Sequence, residues 1–287
     1  MQFNNGKFER LSYGRDEQLK EYSYKSADGT PIPNKTDTKD LGIKMSTNAT
    51  FSLHITETAE KAVKLASWIL RTFMSREQNI MLTLWKSLVL SRMEYNCPLW
   101  NPMKIGEIKC LEAVQRTFTS KITGMDTLNY WERLSALNLY SLQRRRDRYD
   151  IIYIWKILEN KVPNITSCRQ IKISHTHDSR NGRMCTEHVP AKTACCRVKT
   201  LVRNSFPIRA VKTFNILPKH LRGLTGCSVD QFKAQLDRFL ASVPDEPPMP
   251  GYITVAESNS LLHQVPLVKR RCATQPVAGS FSSSAFQ

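Results

Sequence analysis

Residues 81–102, MLTLWKSLVLSRMEYNCPLWNP, decide how the rest of the chain is read. Met81, Leu84, Trp85 and Leu88 recur at i, i+3, i+4 and i+7, which stacks them on one side of an α-helix and leaves Lys86, Ser87 and Ser91 to point elsewhere. Past Arg92 the apolar residues regroup as Met93, Tyr95, Cys97, Leu99 and Trp100, and Pro98 and Pro102, which lack an N–H, are expected to stop further helix. The segment is therefore a helix with a buried side that ends in an aromatic, proline-bounded corner. Two tryptophans and a tyrosine so close together can bury a large apolar area, and neighbouring helices need such an anchor to pack on.

Working outward, the period of 3.6 holds on both sides. Upstream, Ala59, Val63, Ala66, Ile69/Leu70 and Phe73 form a stripe on a helix starting near His54, with Lys61, Lys64 and Arg71 left for solvent. Ser75 with Glu77 and Gln78 signals the start of the anchor helix. Downstream, a helix from Ile105 to about Ile122 groups Leu111, Val114, Phe118 and Ile122 and sets Lys109 and Arg116 apart, with Gly124 as its stop. A short helix over Tyr130 to Leu137 follows, then one capped by Ser141 and running to about Leu158 with Ile151, Ile154, Trp155 and Leu158 inward. These helices are expected to form a compact bundle. Before them, residues 1–45 read as short strands and turns of a small antiparallel sheet: Lys7 to Tyr13, a tight turn at Ser26-Ala-Asp-Gly29, and an extended segment from Thr38 to Met45.

Beyond Pro163 the texture turns to short polar stretches, a loop-rich or hairpin region, up to about Thr200. Helix returns over Asn204 to Asn215, then a short turn at 217–222, then an amphipathic helix from Val229 to Leu240 with Ser228 as cap and Phe232, Leu236 and Phe239/Leu240 inward. The Pro- and Ser-rich stretch from Val243 onward shows no sustained period and is expected to be mostly disordered. The reading is a mostly α fold, divided at 1–50, 51–160, 161–242 and 243–287.

Charge narrows the function. The net charge of +17 is distributed as −1 over residues 1–60, +7 over 61–160, +11 over 161–240 and zero over 241–287. A globular region this basic repels itself unless it meets a polyanion, and nucleic acid is the common one; a merely soluble basic surface is the plain alternative. No run of about 18 uncharged apolar residues occurs, so no membrane span is expected, and the absence of a basic-then-apolar leader after Met1 reads as an intracellular chain, nuclear or cytoplasmic. The eight cysteines then read as reduced thiols. Arg144, Arg145, Arg146 and Arg148 open the last helix of the bundle, and only Arg144 and Arg148 share a face at i, i+4. Two readings of that tract stand side by side: contact with a nucleic-acid backbone, which the planar guanidinium fork suits, or a solvated helix end with Asp147 and Asp150 as local partners. His175-X-His177 with Cys185-X-X-His188 could supply four zinc ligands, but the spacing matches no closed finger, so no metal site is assigned. Nor is there a Gly-rich phosphate loop, a Gly-X-Ser-X-Gly elbow or a His-Glu-X-X-His pair.

Several segments together resemble the downstream part of reverse transcriptases of non-LTR (LINE-type) retrotransposons. They are MQFNNGK at 1–7, KDLGIKM at 39–45, LWKSLVLSRMEYNCPLWNP at 84–102, LEAVQRTFTSKITG at 111–124, YWERLSALNLYSLQRRRDRYDIIYIWKIL at 130–158 and FNILPKHLRGLTGCSVDQFKAQLDRFL at 214–240, in the family's order. The resemblance implies that Lys7 stands at the lysine that follows the catalytic aspartates and assists the leaving pyrophosphate. It implies that Leu41 and Gly42 lie in the primer-grip β-hairpin, and that the helices from about His54 to Leu158 are the thumb and the region after it, clamping a template–primer duplex through its backbone. The fold it implies is a helical thumb-like bundle with a small antiparallel remnant of the palm. The expected partner is an RNA–DNA hybrid, or an RNA or DNA backbone, and Lys109, Arg116, Arg144 and Arg148 are the candidate contacts. The family's chemistry uses magnesium held by aspartates, but this chain contains no Asp-Asp pair, and the Tyr-X-Asp-Asp turn would lie ahead of Met1. The expectation is therefore a fragment that binds nucleic acid without polymerising and holds no cofactor of its own. The rival is a domesticated basic helical module that takes RNA or an acidic protein, docking through the Tyr95 to Trp100 corner.

Overall fold

The computed structural model describes residues 4–14, 21–164, 171–173, 183–187, 191–192, 194–247 and 259–266. The described chain is mostly helical, with a small two-stranded antiparallel sheet near its N-terminus. It divides into two compact units, one of residues 1–142 with 190–205 and the other of 143–189 with 206–287.

In the first unit, β1 (Arg10–Leu11) pairs with β2 (Asn34–Lys35), and β3 (Asp37–Asp40) pairs with β4 (Ile43–Ser46). Two expectations change here. The strand expected over Lys7 to Tyr13 shrinks to Arg10–Leu11, and its pairing with Asn34–Lys35 is parallel rather than antiparallel. The extended segment expected over Thr38 to Met45 is two antiparallel strands, folded at Leu41-Gly42. The Asp-Gly turn sits where it was expected, with Gly29 at φ 84 and its N–H donating to Ser26 O at 2.9 Å.

The helices of this unit are α1 (Ser52–Thr72), α2 (Gln78–Leu84), a π-helical segment over Trp85–Leu90, α3 (Ser91–Glu94), α4 (Cys97–Trp100), α5 (Ile105–Thr119), α6 (Tyr130–Ala136) and α8 (Cys196–Asn204). α1 packs against α5 and the π segment. Its buried line is Ile55, Ala59, Ala62, Ala66 and Ile69, so Ala62 takes the place expected of Val63, which faces solvent. In the anchor helix Met81, Trp85, Val89 and Met93 are buried while Leu88 is exposed. The π segment explains the slip: its wider i→i+5 turn inserts part of a residue into the period and rotates Val89 into the position that a regular helix would give Leu88. Pro98 starts α4 rather than ending a helix, since an N–H is not needed in a first turn; the break itself falls at Asn96, with φ 50. α5 buries Leu111, Val114 and Phe118 as the spacing requires. α6 carries a capping box, Asn129 accepting from the Glu132 N–H while the Glu132 carboxylate accepts from the Asn129 N–H.

The second unit holds α7 (Leu142–Leu158), α9 (Phe206–Asn215), α10 (Lys219–Arg222), α11 (Val229–Ala241) and a short α12 over residues 261–266. The helix expected to complete the bundle thus keeps company with the C-terminal helices instead. Trp155 stacks on Phe232 with centroids 4.4 Å apart and an angle of 7°, and Ile151, Ile154, Val211, Phe214, Leu221, Leu236 and Leu240 are buried around it. Ser228 caps α11 in a second capping box, with Gln231. Part of the expected disordered tail is packed: Val243, Asn259, Leu261 and Val265 are buried. Residues 248–258 and 267–287 of that tail lie outside the described residues, as do His175, His177 and His188 of the zinc reading. Among the described residues of that region, Ile173 and Cys185 form an isolated antiparallel bridge. Among the described residues no helix is long and apolar enough to cross a membrane.

Candidate nucleic-acid interface

The β3–β4 hairpin is closed by a two-residue turn in which Leu41 and Gly42 have φ 44 and 88. Positive φ at both central residues is the type I′ geometry that matches the strands' twist, and it suits glycine but strains leucine. Leu41 is nonetheless there, and 82% exposed. The tip is held from behind: Tyr95 Oη donates to Leu41 O at 3.0 Å, and Trp100 Nε1 donates to Tyr95 O at 2.8 Å. The root is held as well. The Lys44 N–H donates to His54 Nδ1 at 3.3 Å, the Lys44 ammonium meets Glu57 at 2.7 Å and Asp37 at 3.4 Å, and the His54 ring stands edge-on to Trp100 with centroids 5.1 Å apart. The aromatic corner thus presents the hairpin tip to solvent. Burial pushes the His54 imidazole below its ordinary value, which keeps Nδ1 an acceptor, and the hydrogen bond from Lys44 holds the Glu57 carboxyl down.

Lys109 and Arg116 lie two turns apart on the exposed face of α5, opposite Leu111, Val114 and Phe118. The Arg116 guanidinium lies over the Tyr130 ring, 4.7 Å from its centroid, and the residue is exposed. Neither Lys109 nor Arg116 has an ion-pair partner among the described residues. Lys7 closes a 3-10 turn, Asn5–Lys7, and is exposed.

Arg144 and Arg148 have other occupations. Arg144 is 0% exposed, and donates to Leu240 O, to Val243 O at 3.0 Å and to Pro244 O at 2.6 Å, closing the C-terminal carbonyls of α11. Arg148 grips Asp237 with both arms of its fork, at 2.6 and 2.8 Å. Nor are the two aspartates local partners of a solvated tract, as the second reading had it. Asp150 pairs with Arg209 of α9, at 2.7 and 3.2 Å, and Asp147 accepts from Gln143 Nε2, from the Leu261 N–H at 2.8 Å and from Ser260 Oγ, so that it caps α12. Burial pushes both carboxyls above the ordinary aspartate range, against the downward pull of Arg209 on Asp150 and of the Leu261 N–H on Asp147. A phosphate could reach Arg144 only if α11 and the residues after it came away.

The same use of arginine recurs. Arg76 donates to Leu70 O and Phe73 O at the end of α1, Arg133 to Arg116 O and Leu128 O beyond α5, and Arg183 to Arg222 O and Leu224 O beyond α10. A helix C-terminus carries a partial negative charge and unpaired carbonyls, and a guanidinium satisfies both. A share of the positive charge is therefore internal, a role no local spacing announces.

Among the described residues no group of three or more His, Cys, Asp or Glu side chains could hold a metal ion, so no donor set for a magnesium pair assembles there. Cys185 is clamped by Asn215, which accepts from its N–H at 2.8 Å and donates to its C=O at 2.9 Å, and burial pushes its thiol up to about 11, a poor state for a ligand.

Comparison with known proteins gives one stretch of similarity. A probable RNA-directed DNA polymerase from transposon X-element of Drosophila melanogaster is 27% identical over 99 residues, taking in 33% of this chain and 11% of that protein. The chain is distantly and partially related to a transposon RNA-directed DNA polymerase. The match spans about a tenth of that polymerase, and no family model and no solved structure matches the chain.

Proposed function

We propose that this chain is the C-terminal portion of a non-LTR retrotransposon reverse transcriptase, comprising the palm end, thumb and post-thumb segment, and that as it stands it grips template–primer nucleic acid without polymerising. The observation that carries the reading is the hairpin: a strained, exposed Leu41 at a type I′ tip, braced by Tyr95 and Trp100, at the position where the resemblance puts the primer grip. Strain of this kind is kept where a tip has something to hold. Lys109 and Arg116 supply the backbone contacts, and the proposed compartment is wherever template is copied, nucleus or cytoplasm. Lys7 is left an exposed lysine until catalytic aspartates are supplied.

The test is the affinity of the full chain for an RNA–DNA hybrid across a salt series. Binding weakens linearly with the logarithm of salt, and Lys109→Ala with Arg116→Ala together lower that slope by about 2. Extension of a primer by the purified chain would refute the non-polymerising part. Tight binding of an acidic protein with little salt dependence of nucleic-acid affinity would favour the domesticated module, for which Tyr95 and Leu99 of the corner remain exposed.

A further inference from the structure

From Lys61 to Arg76 the sequence has four cations and no acid. Lys64, Trp68 and Arg71 fall at i, i+4 and i+7 of α1, on the face turned away from the buried line of Ala59, Ala62, Ala66 and Ile69. Trp68 is 46% exposed, whereas Trp85, Trp100 and Trp155 are buried. It is propped rather than covered: the Phe73 ring meets it at 87° with centroids 6.2 Å apart, and Met74, just beyond the helix, is 89% exposed. Neither Lys64 nor Arg71 has an ion-pair partner among the described residues. The end of a helix would ordinarily repel an anion, but here Arg76 occupies the Leu70 and Phe73 carbonyls.

We propose that Lys64, Trp68 and Arg71, with Phe73 and Met74 at the end of α1, form a stacking platform for unpaired nucleotides. The chemistry selects the occupant. An exposed aromatic face between cations holds a base by its π-surface and the adjoining phosphates by charge, and this works for any unstacked base, RNA or DNA. A duplex keeps its base faces stacked inside and offers the ring only an end. The site rests on the proposed affinity for nucleic acid, and adds to it a second substrate form, the single strand that enters or leaves a hybrid.

Intrinsic fluorescence of the full chain reads the platform directly, because Trp68 is the most exposed tryptophan among the described residues. Titration with oligouridylate or oligothymidylate is expected to quench wild-type emission. Trp68→Leu loses that quenching and binds either oligonucleotide about tenfold more weakly, Trp68→Phe recovers most of the affinity, and blunt RNA–DNA hybrid is bound as before. Far-UV circular dichroism of both variants should match wild type, since the side chain is half in water. Wild-type affinity of Trp68→Leu for the oligonucleotides would overturn the platform while leaving the proposed function standing. A fluorescence response to phosphatidylserine vesicles and none to the oligonucleotides would overturn it in favour of a lipid surface. Failure of the wild-type chain to bind hybrid at all would instead sink the reading on which the platform rests.

Discussion

Replacing Arg209 by alanine tests whether the positive charge of the second unit is internal. Its guanidinium and the Asp150 carboxylate meet at 2.7 and 3.2 Å with side chains only 8% and 1% exposed. Removal of one partner leaves a buried charge with its main counter-charge gone, a change that costs about 3–5 kcal/mol. Against a total of about 5–15 kcal/mol for a domain, that leaves the unit marginal. Replacing both partners, as Asp150→Leu with Arg209→Met, removes the desolvation of two charges as well as their attraction, and should land near wild type or above it. The single variants and the double variant form a cycle whose coupling should be large. Acid should rescue the single variant. Burial already raises the Asp150 carboxyl and Arg209 pulls it down, so without Arg209 it rises further. A raised carboxyl contributes stability below its unfolded value, which is lost as pH rises through the folded one, so the deficit of Arg209→Ala should be largest near neutrality and shrink towards about pH 4. Urea unfolding followed by far-UV circular dichroism, with total tryptophan emission alongside, measures all of this. A cost for Arg209→Ala below about 1 kcal/mol, the value of a solvated pair, would refute the reasoning and return these arginines to the surface.

Two more outcomes concern the hairpin. Leu41→Asn makes the tip Asn-Gly, which accepts positive φ, so the fold should gain about 1 kcal/mol while affinity for the hybrid falls; unchanged affinity would remove Leu41 from the interface. His54, held below its ordinary value by burial, contributes stability that is present above about pH 6.5 and lost as pH falls through its folded value, because protonation turns Nδ1 from an acceptor of the Lys44 N–H into a donor. Glu57 opposes that shift and Lys39 and Lys61 reinforce it. The protection factor of the Lys44 amide, its exchange rate measured against the intrinsic rate at each pH, should therefore fall with acid in wild type and stay flatter in His54→Gln, and identical profiles would count against the latch.

The helices were legible because burial in them is local and periodic. Leu111, Val114 and Phe118, or Phe232, Leu236 and Leu240, meet the core in the register their spacing dictates. The errors of phase have local causes that a regular period cannot encode: the π turn at Trp85–Leu90 moved Val89 in and Leu88 out, and Pro98 proved to open a helix. α8 passed unnoticed among polar residues because its apolar positions, Val198, Leu201 and Val202, are only partly covered. Tyr95 and His54 could not be read as hairpin supports, for their partners Leu41 and Lys44 lie 54 and 10 residues away.

By itself the sequence determined most of the helices and their order, the cap at Ser228, the tight turn at Asp28-Gly29 and the basic balance that points to polyanions. Only the tertiary structure decided where that charge goes. Consecutive arginines radiate around a helix, and whether each meets water or core depends on what packs opposite. For Arg144 that is the carbonyl end of α11, about a hundred residues on, for Arg148 it is Asp237, and for Asp150 it is Arg209. A charge is written in the chain, but its partner is chosen by long-range packing.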